Sequence, residues 1–86
     1  MPQVVMYCSQ FCGYCTRAEM LLRRKGVTCE KRYVDRDNDF MAEMLMKSGR
    51  SSVPQIFIDD YHVGGYDDLA KLEMGGGLDA KLGLIR

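Results

Sequence analysis

The sequence predicts an α/β fold: a four-stranded mixed sheet with helices on both faces. Three observations carry that expectation. A β-branched run, an amphipathic helical stretch and a second strand-like run follow one another at the start, which reads as β-α-β. Later, two apolar runs are separated only by Asp59-Asp60, which reads as a hairpin. The chain has 86 residues, 47% of them hydrophobic, so one small domain spanning residues 1–86 with a single core is expected.

Val4-Val5-Met6-Tyr7 is short, β-branched and aromatic, the mark of a buried strand. From Tyr14 to Lys25 the apolar positions Cys15, Ala18, Leu21 and Leu22 recur at helical spacing, with Arg17, Glu19 and Arg23 on the other face. Arg23, Arg24 and Lys25 complement the dipole of the last turn, and Gly26 follows as the C′ residue. Cys29 to Val34 reads as the second strand. The polar run Asp35 to Asp39 then opens a helix whose apolar positions are Phe40, Met41, Met44 and Leu45, and Gly49 stops it. Gln55–Ile58 and Tyr61–Val63 form the arms of the hairpin, and Gly64-Gly65 breaks the second arm. Asp67 or Asp68 caps a short helix carrying Leu69 and Leu72. After Gly75-Gly76-Gly77, a last helix places Leu78, Leu82 and Ile85 on the core. The β-α-β start implies a right-handed crossover with parallel strands, and the hairpin adds antiparallel ones. This order is the thioredoxin-like plan.

Lys+Arg 12 balance Asp+Glu 12, so no excess charge holds a nucleic acid or an anionic membrane. No stretch approaches the ~18–20 apolar residues that span a bilayer. Met1-Pro2-Gln3 brings no basic region, and the apolar run after it is too short for a signal core. The expectation is a cytoplasmic monomer that binds neither nucleic acid nor membrane. In that compartment four cysteines are expected as reduced thiols that are catalytic, metal-binding or buried.

Their spacing then decides. Cys12-Gly13-Tyr14-Cys15 lies where the first strand hands over to the first helix, a thioredoxin-like redox signal. Cys12 falls at the N-cap, where unpaired N–H groups and the positive end of the dipole favour a thiolate. Cys15 returns to the same side of the first turn but on the apolar stripe, so it is more buried and less acidic. Cys12 is read as the nucleophile and Cys15 as the resolving thiol. A zinc site from Cys8, Cys12, Cys15 and Cys29, with or without His62, is disfavoured because no second C-x-x-C completes the usual spacing. Cys29 reads as a core residue. Cys8, just past the first strand, is left open between inert and near the site. Pro54 suits the first position of a strand, and at Val53-Pro54 the residues alone favour the trans bond. Gly64-Gly65-Tyr66-Asp67-Asp68 reads either as a turn and cap or as free N–H groups suited to a carboxylate.

Taken in order, CGYC after the first strand, SVPQIFI near residue 55 and GGYDDL after the hairpin resemble the dithiol glutaredoxins of the small bacterial type. The resemblance covers essentially the whole chain. It implies a glutathione-dependent thiol–disulfide oxidoreductase in which Cys12 takes glutathione from a mixed disulfide and Cys15 allows protein disulfides to be reduced. It implies a cis bond at Pro54 and pairing of the Val53 backbone with the cysteinyl part of glutathione. Tyr66, Asp67 and Asp68 would meet its γ-glutamyl end, and Tyr14 would line the same groove. Glutathione is the implied reductant; glutathionylated proteins and disulfide-containing enzymes such as ribonucleotide reductase are the implied partners. Relatives with a small residue at the position of Gly13 include carriers of a [2Fe–2S] cluster, so a glutathione-ligated dimer bridged through Cys12 is the alternative. The family's basic groups before the motif and in the second helix are replaced here by Ser9 and Met41, with Arg50 and Arg36 as candidate substitutes.

Overall fold

The computed structural model describes residues 2–84. In chain order its elements are β1 (Val4–Cys8), α1 (Gly13–Arg24), β2 (Glu30–Tyr33), α2 (Asn38–Ser48), β3 (Gln55–Ile58), β4 (Tyr61–Gly64), α3 (Tyr66–Met74) and α4 (Gly77–Lys81). The four strands form one mixed sheet in the order β2-β1-β3-β4. β1 runs parallel to β2, with Val5 opposite Glu30, and antiparallel to β3, with Val5 opposite Phe57. β3 and β4 are antiparallel, with a shift of register between Ile56 and Phe57. The expected mixed sheet is therefore present.

Strand alternation divides the interior into two cores. Val4, Met6 and Cys8 of β1 join Ile56 and Ile58 of β3 against Cys15, Ala18, Leu21 and Leu22 of α1, Leu69 of α3, and Leu78 and Leu82. On the opposite face Tyr7, Phe57 and Val34 meet Met44 of α2, with Val5, Phe40 and Met41 packed around them. Helices thus cover both faces, α2 on one and α1, α3 and α4 on the other. On the α2 side the Tyr7 hydroxyl donates to Glu43, which also pairs with Arg32.

Several expectations shift in detail. Cys8 is the last residue of β1, where it is 1% exposed, rather than a residue beyond the strand. α1 starts at Gly13, and Gly26, at φ 77, follows its cap as expected. β2 is shorter than Cys29–Val34. Met44 is buried in α2 but Leu45 is not: it lies one step round the helix and is 43% exposed. The cap of α3 is Gly65, not Asp67 or Asp68, both of which lie inside the first turn. Leu78 and Leu82 reach the core from α4 and its cap, while Ile85 falls outside the described residues.

The topology gathers three chain segments at one end of the sheet. Tyr7 near the end of β1 stands opposite Gln55 at the start of β3, and Ile56 stands opposite Gly64 at the end of β4. The turn before α1, the segment before β3 and the start of α3 therefore meet.

Candidate active site

Cys12 is the N-cap of α1, in extended conformation at φ −103 and ψ 109. Its Sγ accepts the backbone N–H of Cys15 at 3.1 Å, which satisfies one of the donors that a helix start leaves unpaired. Its carbonyl accepts from Thr16 twice, through N–H (3.1 Å) and Oγ1 (3.2 Å), which fixes the first turn. Cys15, one turn in, is 5% exposed on the stripe with Ala18, Leu21 and Leu22. Burial first, and then its hydrogen bond to Cys12, pushes the Cys15 thiol up to about 12. Both cysteines stand where the sequence places them.

Cys8, Cys12 and Cys15 share a hollow of about 320 Å³ with Glu19, Lys31 and Tyr33, on the α1 face beside β2. Burial pushes the Cys8 thiol up to about 11 and raises that of the half-buried Cys29. Glu19 and Lys31 are paired across this hollow at 3.0 Å. His62 stands on the other face, its ring stacked on Phe57 with centroids 4.7 Å apart, so it does not join the cysteines. Among the described residues, no group of three or more His, Cys, Asp or Glu is arranged to hold a metal ion.

A second hollow, a groove of about 300 Å³, opens on the other side of the motif. It brings together Tyr14, Val53, Pro54, Tyr66, Asp67 and Asp68, the six residues the resemblance assigns to glutathione, with Arg50, one of the two candidate substitutes, and with Ser52, Gln55 and Gly65. Cys12, Val53 and Tyr66 pack against the same buried cluster, which ties the groove to the motif. The Tyr14 and Tyr66 rings face one another with centroids 6.2 Å apart, and the Arg17 guanidinium lies 5.5 Å over Tyr14. The Val53-Pro54 bond is cis, as the family resemblance implied and against the trans preference of the residues alone.

The groove's far wall is cross-tied. The Asp68 carboxylate accepts the Gly65 N–H at 2.9 Å and the Arg50 guanidinium at 3.0 Å. Those two partners, the Gly65 N–H first, hold its carboxyl below the ordinary range. Gly64 makes this possible: at φ 113 it lies where side chains rarely go, and a Cβ there would stand 2.3 Å from Asp68 Oδ2. Asp67, the next residue back, is exposed to solvent. Arg50 therefore lines the groove as one candidate substitute for the family's basic groups. Ser9 lines the thiol hollow instead, and Met41 packs in the α2-side core.

From the sequence alone, Gln55 is read only as a strand residue and His62 is weighed only as a zinc ligand; the structure joins the two. Gln55 is 1% exposed; its Nε2 donates to Ser52 O (3.0 Å) and Ser52 Oγ (3.3 Å). Its Oε1 is then left to accept from His62 Nε2 at 2.8 Å, which assigns the proton on that ring to Nε2. The available signal was a lone amide at the head of the apolar run QIFI.

A mixed β2-β1-β3-β4 sheet with a C-x-x-C at the mouth of α1 and a cis-proline beside it defines a thiol–disulfide oxidoreductase of thioredoxin-like fold. Within that class, the glutaredoxin family model matches residues 4–63, and the chain belongs to the glutaredoxins. It is 49% identical over 82 residues to a glutaredoxin of Pseudomonas aeruginosa, covering 95% of this chain and 98% of that one. The solution structure of glutaredoxin from Brucella melitensis superposes with TM-score 0.84 at 44% identity, covering 98% of this chain and 91% of that one. The crystal structure of a buckwheat glutaredoxin–glutathione complex superposes with TM-score 0.85 at 28% identity, covering 99% and 83%.

Proposed function

We propose that the chain, acting as one domain and one subunit, is a glutathione-dependent oxidoreductase that reduces glutathionyl mixed disulfides and protein disulfides. The observation that carries this reading is the convergence of Tyr14, Val53, Pro54, Tyr66 and Asp67 in one groove beside a half-exposed Cys12. The complex of the buckwheat relative with glutathione supports the same ligand.

Cys12 attacks the glutathionyl sulfur as a thiolate. The bond between that sulfur and the substrate sulfur breaks, and the substrate leaves as a thiolate that takes a proton from water. A second glutathione thiolate then attacks the Cys12-bound glutathione, releasing oxidised glutathione and returning the Cys12 thiolate. With a protein disulfide, Cys12 attacks one substrate sulfur and the other leaves as a thiolate that takes a proton from water. Cys15 then attacks Cys12 Sγ while its proton passes to the departing substrate sulfur, and two glutathiones reopen the Cys12–Cys15 bond and leave as oxidised glutathione. Burial of Cys15 suits this part, because a thiol of pKa about 12 does not compete with Cys12 for incoming disulfides.

In the groove, the γ-glutamyl carboxylate meets the N–H groups of Tyr66 and Asp67, which have no partner within the helix and sit at its positive end. The Asp67 carboxylate receives the neighbouring ammonium, the Val53 backbone pairs with the cysteinyl unit, and Tyr14 covers it. Arg50 takes the remaining carboxylate, and Asp68 acts through Gly65 and Arg50. The partners proposed are glutathionylated cytoplasmic proteins and disulfide-containing enzymes such as a ribonucleotide reductase. The test is a coupled assay with glutathionylated cysteine, glutathione, glutathione reductase and NADPH. NADPH oxidation that requires both glutathione and Cys12 is expected; a rate no greater than without the protein overturns the reading.

A further inference from the structure

We infer that Phe11 is the contact by which the enzyme selects mixed disulfides borne on a polypeptide with an apolar side chain next to the modified cysteine. This rests on the glutathione-dependent reading above. Phe11 immediately precedes Cys12, and its side chain is wholly exposed, at 104%. Its backbone sits at φ 56, in the left-handed region where a bulky residue is an outlier. Asp59, at φ 50, is the other described non-glycine there, and a short polar side chain tolerates that region far better. Phe11 therefore takes on backbone strain and buries nothing, so the stability of the fold does not account for a phenyl group at this place. The turn that carries it is anchored, since the Gln10 N–H donates to the Asp35 carboxylate at 3.1 Å.

The chemistry says what reaches that phenyl group. During exchange, Cys12 Sγ, the glutathionyl sulfur and the substrate sulfur lie in line. With the tripeptide in the groove between Tyr14 and Tyr66, the chain carrying the third sulfur has to leave on the other side. Phe11 stands there, on the rim of the hollow that Cys12 shares with Cys8 and Cys15. A leucine beside the substrate cysteine would cover part of the phenyl ring, worth roughly five- to tenfold in kcat/KM. Glutathione itself has no apolar side chain to reach it.

The experiment compares three substrates: glutathionylated cysteine, and two glutathionylated peptides of equal length whose cysteine is flanked by leucine or by serine. The wild type is expected to prefer the leucine-flanked peptide by the stated factor, and Phe11→Leu to keep that preference. Phe11→Asn, better suited to the left-handed region, is expected to lose the preference and to melt no lower than the wild type. It should act on glutathionylated cysteine within about twofold of the wild type. Equal rates on both peptides in the wild type overturn the assignment, and so does an equal fall on all three substrates in Phe11→Asn. Failure of the wild type on glutathionylated cysteine removes the underlying reading and the assignment with it.

Discussion

Cys12 and Cys15 share a helical turn but not an environment. Cys12 Sγ receives an N–H at the mouth of the helix, whereas Cys15 is 5% exposed among Ala18, Leu21 and Leu22. A serine hydroxyl in place of Cys12 can still cap α1, since serine is a favoured N-cap, but it cannot enter a disulfide. Cys12→Ser is therefore expected to melt within a few degrees of the wild type and to fall to the uncatalysed rate with every substrate. Cys15→Ser should retain glutathionyl exchange within about fivefold, because that route uses one thiol, and should lose turnover of protein disulfides. Glutathionylated cysteine and a protein disulfide, assayed side by side with melting curves, check this. Equal loss in both variants on glutathionylated cysteine would show that Cys15 takes part in the first exchange.

Between elements, the pivotal tie joins the start of α3 to the segment before β3. Asp68 reaches back from the third position of α3 to the Gly65 N–H and sideways to Arg50. This is where pattern reading stopped short. The sequence names Asp67 and Asp68 as residues able to cap, but neither is the N-cap: Gly64 at φ 113 turns the backbone so that Gly65 takes that position and Asp68 reaches back to its N–H. The tie also predicts a pH dependence. The folded-state pKa of Asp68 is depressed, so its contribution to stability is present above the ordinary carboxyl value of about 3.9 and is lost as pH falls through the lower folded value. In Asp68→Asn the amide oxygen can still accept from Gly65, so the comparison isolates the charge. The melting gap between wild type and Asp68→Asn should be full at neutral pH and narrow below about pH 4. Because this pair is more than a third exposed on both sides, the gap is worth only ~0.2–1 kcal/mol and shrinks with salt. A gap that stays constant down to the acid transition would mean that Arg50 draws nothing from the charge.

At the scale of the whole molecule, the two cores meet the site unequally: Cys12, Tyr66 and Val53 pack against the α1-side core, and Val53 also packs against the α2-side core. Much of the fold and site was legible in the sequence: apolar spacing placed α1 and the strands, and C-x-x-C at a strand–helix junction placed the thiols. The exposure of Leu45 and the burial of Gln55 were not legible, because both depend on which neighbour a face meets rather than on the residue's own polarity. The division into two cores can be tested by emptying each. Met44 is 0% exposed and is the buried anchor of α2, a helix that contributes nothing to the lining of the groove. Leu69 is also 0% exposed, but it follows Asp68 directly and seats the first turn of α3 on the sheet. Met44→Ala and Leu69→Ala should each lose ~2–5 kcal/mol, the usual cost of such a cavity. In a chain of this size each ~1 kcal/mol lowers the melting temperature by roughly 4–8 °C, so both variants must be assayed well below their transitions. There Met44→Ala should change kcat/KM for glutathionylated cysteine less than Leu69→Ala does, because the Met44 cluster meets the groove at Val53 whereas Leu69 seats the α3 turn that lines it. Leu69→Ala should raise KM severalfold with kcat little changed, since the N–H groups proposed to receive the γ-glutamyl carboxylate move with α3. A matching rise in KM for Met44→Ala would mean that α2 steadies the groove through the sheet, and the two cores would then act as one.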